Sequence, residues 1–239
     1  GLWNTILLAV VAQGGAIVIG VVIALMRRSA NPVARWFAWG YIWIFRGLPV
    51  LLQILIWFNL ALVFPRITIP FVVDQPTNTV ITAFVAALLG LGLNESAYMA
   101  EIVRAGLNSV DAGQVEAAKA IGMTPARTLL RVTLPQAMRV IIPPTGNDFI
   151  NMLKGTSMAS VIGYLELIKA AGNISSRNLE IMETLLAAAA WYMIVVSVAS
   201  IGQYYLERYF GAADRAQRGS PGVRGRVARA FRTAPFSRR

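Results

Sequence analysis

Two groups of polar side chains stand out in a chain that is 56% hydrophobic and only 14% charged. The first reads Glu116-Ala117-Ala118-Lys119-Ala120-Ile121-Gly122, then nine residues, then Val132-Thr133-Leu134-Pro135. Ala, Glu and Lys favour helix, and Glu116 and Lys119 have the i,i+3 spacing of a facing pair. Gly122 can leave the helix at positive φ, and Pro135 cannot sit in a regular helix interior. The spacing therefore predicts a short rigid helix, about Val115 to Ile121, held between two turns and suited to passing on rigid-body motion. Glu-Ala-Ala alone is an ordinary amphipathic surface helix; the fixed distances to Gly122 and to Leu134-Pro135 set this one apart.

The second group lies within or beside apolar runs: Asn94, Glu95 and Tyr98 on neighbouring turns, then Asn147, Asp148, Asn151 and Lys154 on one helix face, then Thr156 and Ser157. An ionisable side chain at membrane depth is costly and faces a protein interior or a water-filled path. Such a face can offer acceptors to a cationic group and donors to an anionic one. Asp148 or Glu95 could supply the first, and Asn151, Lys154, Thr156 and Ser157 the second. The same residues could instead hydrogen-bond between helices or pin two subunits together, and Glu95 and Lys154 could serve as a gate.

Several chemistries are excluded. Cysteine and histidine are both absent, which removes disulfides, Cys/His metal sites and histidine acid–base catalysis. No Gly-x-x-x-x-Gly-Lys-Ser/Thr segment occurs, so the chain has no loop of that kind to cradle nucleotide phosphates. Glu95, Glu101 and Asp148 are too few and too scattered for a glycosidase-like carboxylate pair. The chain is not expected to be an enzyme.

A chain of 239 residues this apolar reads as an integral membrane protein, and the lack of repeated period-2 alternation favours helices over a barrel. Five spans position the two polar groups: about residues 5–26, 36–64, 79–93, 140–162 and 184–205. Each is long enough, or nearly so, to cross the hydrocarbon core. The first is too long for a signal-peptide core and reads as a true span; Gly1 in place of Met leaves room for residues before it. The third continues as a more polar helix in which Glu101 and Arg104 form an i,i+3 pair. Pro143-Pro144 is expected near the start of the fourth. Trp36, Trp39, Trp43 and Arg46 read as anchors at the membrane interface.

Basic residues set the orientation. Arg27, Arg28, Arg35, the surroundings of Glu116 and the C-terminal tail gather on one side. Nine of the 22 Lys/Arg residues fall between Arg208 and Arg239. The Glu116 loop and the C-terminus are therefore expected in the cytoplasm. The basic stretch 211–239 reads as a disordered, lipid-facing tail rather than a nucleic-acid arm. Residues 1–210 form the transmembrane domain, with the loop at about 111–136.

The Glu116–Pro135 spacing resembles the cytoplasmic EAA loop of ABC importer membrane subunits. The resemblance covers about residues 1–210. Arg46-Gly47-Leu48-Pro49-Val50-Leu51-Leu52-Gln53 looks like the Arg-Gly-Thr-Pro motif of permeases for polar amino acids (histidine, glutamine, arginine, glutamate). Leu93 to Leu107 and Leu153 to Ile162 are similar to two further blocks of that group. Leu48, Val132 and Met158 are mild departures; Gly155 stands where Asp is frequent, which touches the substrate contacts.

The resemblance implies an all-α integral membrane protein of type I importer (MetI-like) fold with five transmembrane helices. It implies a permease subunit of an ATP-driven, binding-protein-dependent polar amino acid importer. ATPase coupling would fall to Glu116, Ala117, Ala118, Gly122, Leu134 and Pro135. The partners would be an ABC ATPase dimer, a second permease subunit (identical or paralogous) and an extracytoplasmic amino acid binding protein, in a bacterial inner membrane. The chain itself would bind no cofactor; ATP and Mg would be used by the ATPase. An ion-coupled secondary carrier is the rival class, although such carriers usually show more spans and internal repeats.

Overall fold

The computed structural model describes residues 1–69 and 73–218. Helix α1, Leu2–Arg27, is followed by α2, Pro32–Gly47, and α3, Val50–Phe58. Asn31 caps α2 by accepting from the Val33 amide at 2.9 Å, and Pro32 opens the helix where its missing N–H costs nothing. After a 3-10 turn at Leu60–Leu62 come strands β1, Arg66–Ile69, and β2, Val73–Pro76, then the short α4, Thr77–Val80. The strands pair antiparallel with Ile67 opposite Gln75, a small departure from the expected all-α chain. Helix α5, Ala83–Asn108, follows.

Beyond it lie α6, Ala112–Ala120, and α7, Pro125–Thr128, which runs through a π-helical segment, Leu129–Thr133, into α8, Leu134–Gly155. A 3-10 stretch, Thr156–Ile162, leads to α9, Leu167–Asn178, and finally to α10, Ile181–Arg218. Helix α10 extends past residue 210, so the first residues of the expected tail are helical; residues 219–239 lie outside the described residues.

Helices α1, α5 and α10 are each long and apolar enough to cross a membrane, and α2 with α3 adds a fourth crossing if the bent pair is one span. The expected unbroken span over 36–64 is thus corrected: its two halves meet at 101°. Proline disfavours helix in the residue before it, and Leu48, preceding Pro49, is extended. The carbonyls freed by the break are recaptured. Gln53 Nε2 donates to Phe45 O at 2.9 Å and Leu48 O at 3.0 Å, and Asn94 Nδ2 donates to Phe45 O at 2.5 Å. Helix α8, at 22 residues, is long enough to span, but its polar face lowers its hydropathy. Pro143 and Pro144 sit inside α8, which begins at Leu134, and Gln203 of α10 donates to Pro143 O at 2.7 Å.

Helix α5 is the axle of the bundle. Small residues let its neighbours approach closely. A Cβ on Gly20 of α1 would lie 2.6 Å from the Met99 Cβ, and one on Gly90 would lie 2.9 Å from the Ile54 backbone. A Cβ on Gly106 would collide with Ile141 of α8. Ala12 passes Gly92 as Gly20 passes Met99, so α1 and α5 run parallel. Gly106 beside Ile141, then Met99 beside Thr145, set α8 antiparallel to α5. That register decides which polar residues meet.

At the end of the bundle away from α6, a fully buried Glu166 caps α9. Its oxygens accept from the amides of Ile168 at 2.9 Å and Lys169 at 2.6 Å and from the Tyr192 hydroxyl at 2.9 Å. Thr5 of α1 accepts from the Leu167 amide at 3.1 Å, so α1, α9 and α10 are tied at one point. Glu166→Ala should remove a cap worth about 1 kcal/mol and strand buried donors at about 1–3 kcal/mol. Thermal unfolding of the detergent-solubilised protein should show a lower midpoint, whereas the exposed Glu180→Ala should leave it nearly unchanged.

Candidate functional site: a coupling helix joined to a polar path

Helix α6 overlaps the expected helix but starts earlier, at Ala112 rather than about Val115, because Asp111 caps it by accepting from the Gly113 amide at 2.8 Å. Its far end is closed by two backbone bonds, Gly122 N to Lys119 O at 2.9 Å and Met123 N to Ala118 O at 3.1 Å. This is a Schellman ending, which requires a left-handed residue, and Gly122 sits at φ +80. Glu116 and Ala117 are exposed while Ala118 is buried against the bundle. The expected Glu116–Lys119 ion pair does not form: among the described residues only Arg66–Asp74 and Glu101–Arg104 make such pairs. Instead Glu116 and Lys119 line a groove of about 640 Å³ with Arg28, Asn108 and Thr128.

Pro135 is exposed in the first turn of α8, and half-buried Leu134 precedes it. Pro135 has no N–H for the helix ladder and its ring crowds the preceding turn. The widened π segment immediately before it relieves that crowding, so the helix is reshaped rather than stopped. Gln136 Nε2 donates to Val132 O at 2.9 Å within this bend and to Gln114 Oε1 of α6 at 2.5 Å. The chain is therefore helical without interruption from Pro125 to Ile162. One helical run, beginning just after the turn that ends α6, leads to the residues of the second polar group.

The α5–α8 register brings the carboxyl groups of Glu95 and Asp148 close to each other. Glu95 Oε1 and Asp148 Oδ2 are buried and receive no hydrogen bond from the described residues. Glu95, but not Asp148, borders a cavity of about 170 Å³ lined also by Asn94, Asn151, Gly155 and Met158 among others. Asn94 lines it while its amide holds the α2–α3 break. Asn151 is exposed towards this space, and Lys154 is exposed one turn further on.

Thr156 and Ser157 do not supply donors to the cavity. Thr156, fully buried, donates to Leu153 O at 2.8 Å, and Ser157 donates to Lys154 O at 2.7 Å. Tyr98 is 40% exposed and lies under the Arg46 guanidinium, 4.9 Å from its ring centre. Arg46, expected as an interface anchor, lies near the end of α2, about 21 Å along the helix from Pro32. Gln13, 5% exposed with neither amide atom partnered among the described residues, was missed. A lone Gln in an apolar run was the available signal.

Residues 16–210 match the family described as the binding-protein-dependent transport system inner membrane component. The chain belongs to that family. It is 45% identical over 208 residues to the arginine transport system permease protein ArgU of Corynebacterium glutamicum, covering 87% of this chain and 66% of that relative, just under two thirds of its length. It is 38% identical over 209 residues to the L-cystine transport system permease protein TcyB of Bacillus subtilis, covering 87% of this chain and 84% of that one. The solved structure described as an amino acid ABC transporter with histidines superposes with a TM-score of 0.76 at 37% identity, over 87% of this chain and 92% of that one. The chain is thus a multi-pass membrane permease component with the MetI-like importer fold, a transport subunit rather than an enzyme. Membership implies a separate ATPase and a substrate-binding protein.

Proposed function

We propose that this permease forms half of the translocation path of an ATP-driven importer of polar amino acids. The observation that carries the reading is the uninterrupted helical run from Pro125 to Asp148, tied to α6 by the Gln114–Gln136 bond. A push on α6 at its exposed Glu116–Ala117 edge would be delivered, through the Gln114–Gln136 bond and the π segment, to the helix bearing the polar site. In this reading α6 docks on an ABC ATPase dimer, which binds the ATP and Mg, with Glu116, Ala117, Ala118, Gly122, Leu134 and Pro135 forming or shaping the contact. A second permease subunit, identical or paralogous, closes the path, and an extracytoplasmic binding protein delivers substrate.

Residues 1–210 act as the transmembrane domain with five crossings, α8 being the fifth, in a bacterial inner membrane. The basic residues at the α1–α2 turn, around α6 and in the C-terminal sequence support a cytoplasmic loop and C-terminus. Glu95 and Asp148, paired at membrane depth and lacking donors, suit the ammonium or other cationic group of the cargo. Asn94, Tyr98, Asn151 and Lys154 flank the same route. The name of the arginine relative makes L-arginine the first substrate to try, with L-glutamine and L-histidine beside it.

Reconstitution in proteoliposomes with the ATPase and binding protein tests this directly. Uptake of labelled amino acid should require ATP and persist when ionophores collapse ion gradients. Uptake that runs without ATP and stops with the ionophore would reverse the reading in favour of an ion-coupled carrier.

A further inference from the structure

Arg46 is a charged residue that the coupling route leaves without work. Its guanidinium is exposed, makes no hydrogen bond or ion pair among the described residues, and rests over the Tyr98 ring. It opens into a cavity of about 510 Å³, bordered also by Arg27, Tyr98, Glu101 and Arg104. Glu101 is the lone acid of that lining and is already held by Arg104 at 2.5 Å. The cavity therefore carries an excess of positive charge with no internal partner for Arg46. An arginine this far along a membrane helix faces protein or water rather than lipid, because solvating it in hydrocarbon is costly.

Its place relative to the carboxyl pair gives the excess a use. The smaller cavity, at Leu91, Asn94 and Glu95, and the larger one, at Tyr98, Glu101 and Arg104, follow one another along α5. Glu95 and Tyr98 are three residues apart on one side of that helix, about 4.5 Å along its axis. Two of the donors expected for a substrate carboxylate, Thr156 and Ser157, are committed to backbone carbonyls. The guanidinium fork matches a carboxylate with two parallel hydrogen bonds, as an ammonium cannot.

We propose that Arg46 is a specificity-determining residue that binds the carboxylate of the transported amino acid, with the Tyr98 ring holding its guanidinium in position. The inference rests on Glu95 and Asp148 receiving the cationic end of the same molecule, so the path has an acidic pole followed by a basic one. An amino acid moving along α5 then keeps each charged end paired while it changes level.

The test uses the purified permease–ATPase complex in nanodiscs, without the binding protein. Calorimetric titration with L-arginine, L-glutamine and L-histidine, each beside its methyl ester, isolates the carboxylate. The wild type should bind at least one free acid about tenfold or more tightly than its ester. Arg46→Gln should bring acid and ester to equal affinity, and Arg46→Lys should recover part of the difference. Asp148→Asn should weaken acid and ester alike.

If Arg46→Gln keeps the preference for the acid while Asp148→Asn weakens both ligands, the Arg46 assignment is wrong and the carboxyl-pair reading survives. If Asp148→Asn changes nothing, the carboxyl-pair reading fails and takes this inference with it. A wild type that binds no free acid, or binds acid and ester equally, also overturns it. Should Arg46→Gln not assemble, Arg46→Lys decides: an undiminished preference for the acid counts against the proposal. A purely structural role over Tyr98 would shift stability without changing the acid-to-ester ratio.

Discussion

Replacing Gly122 with valine should leave the permease inserted and folded yet cut ATP-driven uptake severely, while the partner's ATP hydrolysis continues. A Cβ at this position meets nothing within 4 Å, so the effect is not a clash. It is backbone strain, because φ is +80 and an L-residue in the left-handed region costs roughly 1–2 kcal/mol, more for a β-branched one. To escape that strain the chain must open the Gly122–Lys119 and Met123–Ala118 bonds that end α6. A bias of about 1–2 kcal/mol against the docked geometry corresponds to roughly a 5- to 30-fold loss of the coupling-competent population. Gly122→Asn should lose much less, since asparagine tolerates this conformation. The quantity to measure is amino acid imported per ATP hydrolysed in proteoliposomes. If valine and glycine give the same ratio, the α6 ending plays no part in coupling.

What the sequence revealed and what it withheld divide along local against distant causes. The body and end of helix α6 were legible because their signals are local, with Ala, Glu and Lys to fill it and Gly122 to end it; its start at the Asp111 cap was not singled out. The first span was legible as an apolar run and differs from α1 only at its ends. The break between α2 and α3 was not anticipated, although Pro49 was visible. A proline inside a membrane segment can kink or break it according to whether distant groups rescue the freed carbonyls. Here Asn94, 49 residues from Phe45, does so.

Pro143 and Pro144 show the converse, for α8 carries both inside it, with Gln203 contributing from α10. The nearness of Glu95 and Asp148 depends on the antiparallel register of α5 and α8, fixed by Gly106 against Ile141 and Met99 against Thr145. No periodicity within either segment encodes that pairing. Glu116–Lys119 shows the limit of local spacing too. Both side chains are exposed, where an i,i+3 ion pair is worth only about 0.2–0.5 kcal/mol and is easily forgone.

The same register leads to the other large effect, at Asp148. Asparagine is almost isosteric with aspartate, so Asp148→Asn should preserve the α5–α8 contact, which is fixed by neighbouring turns rather than by this carboxyl. It would remove one of two acidic groups that face each other with no donor from the described side chains. A charge-assisted hydrogen bond to a bound ammonium is worth about 1.5–3 kcal/mol, so kcat/KM for uptake should fall roughly tenfold to a hundredfold. The unfolding midpoint and the amount of protein in the membrane should stay near the wild-type values. The amino acid affinity of the isolated binding protein should not change at all, which separates a path defect from a delivery defect. A packing role predicts another pattern: a polar, uncharged side chain of equal size would still bridge the helices, and uptake would survive. Normal uptake by Asp148→Asn would therefore remove this residue from the path and end the carboxyl-pair reading.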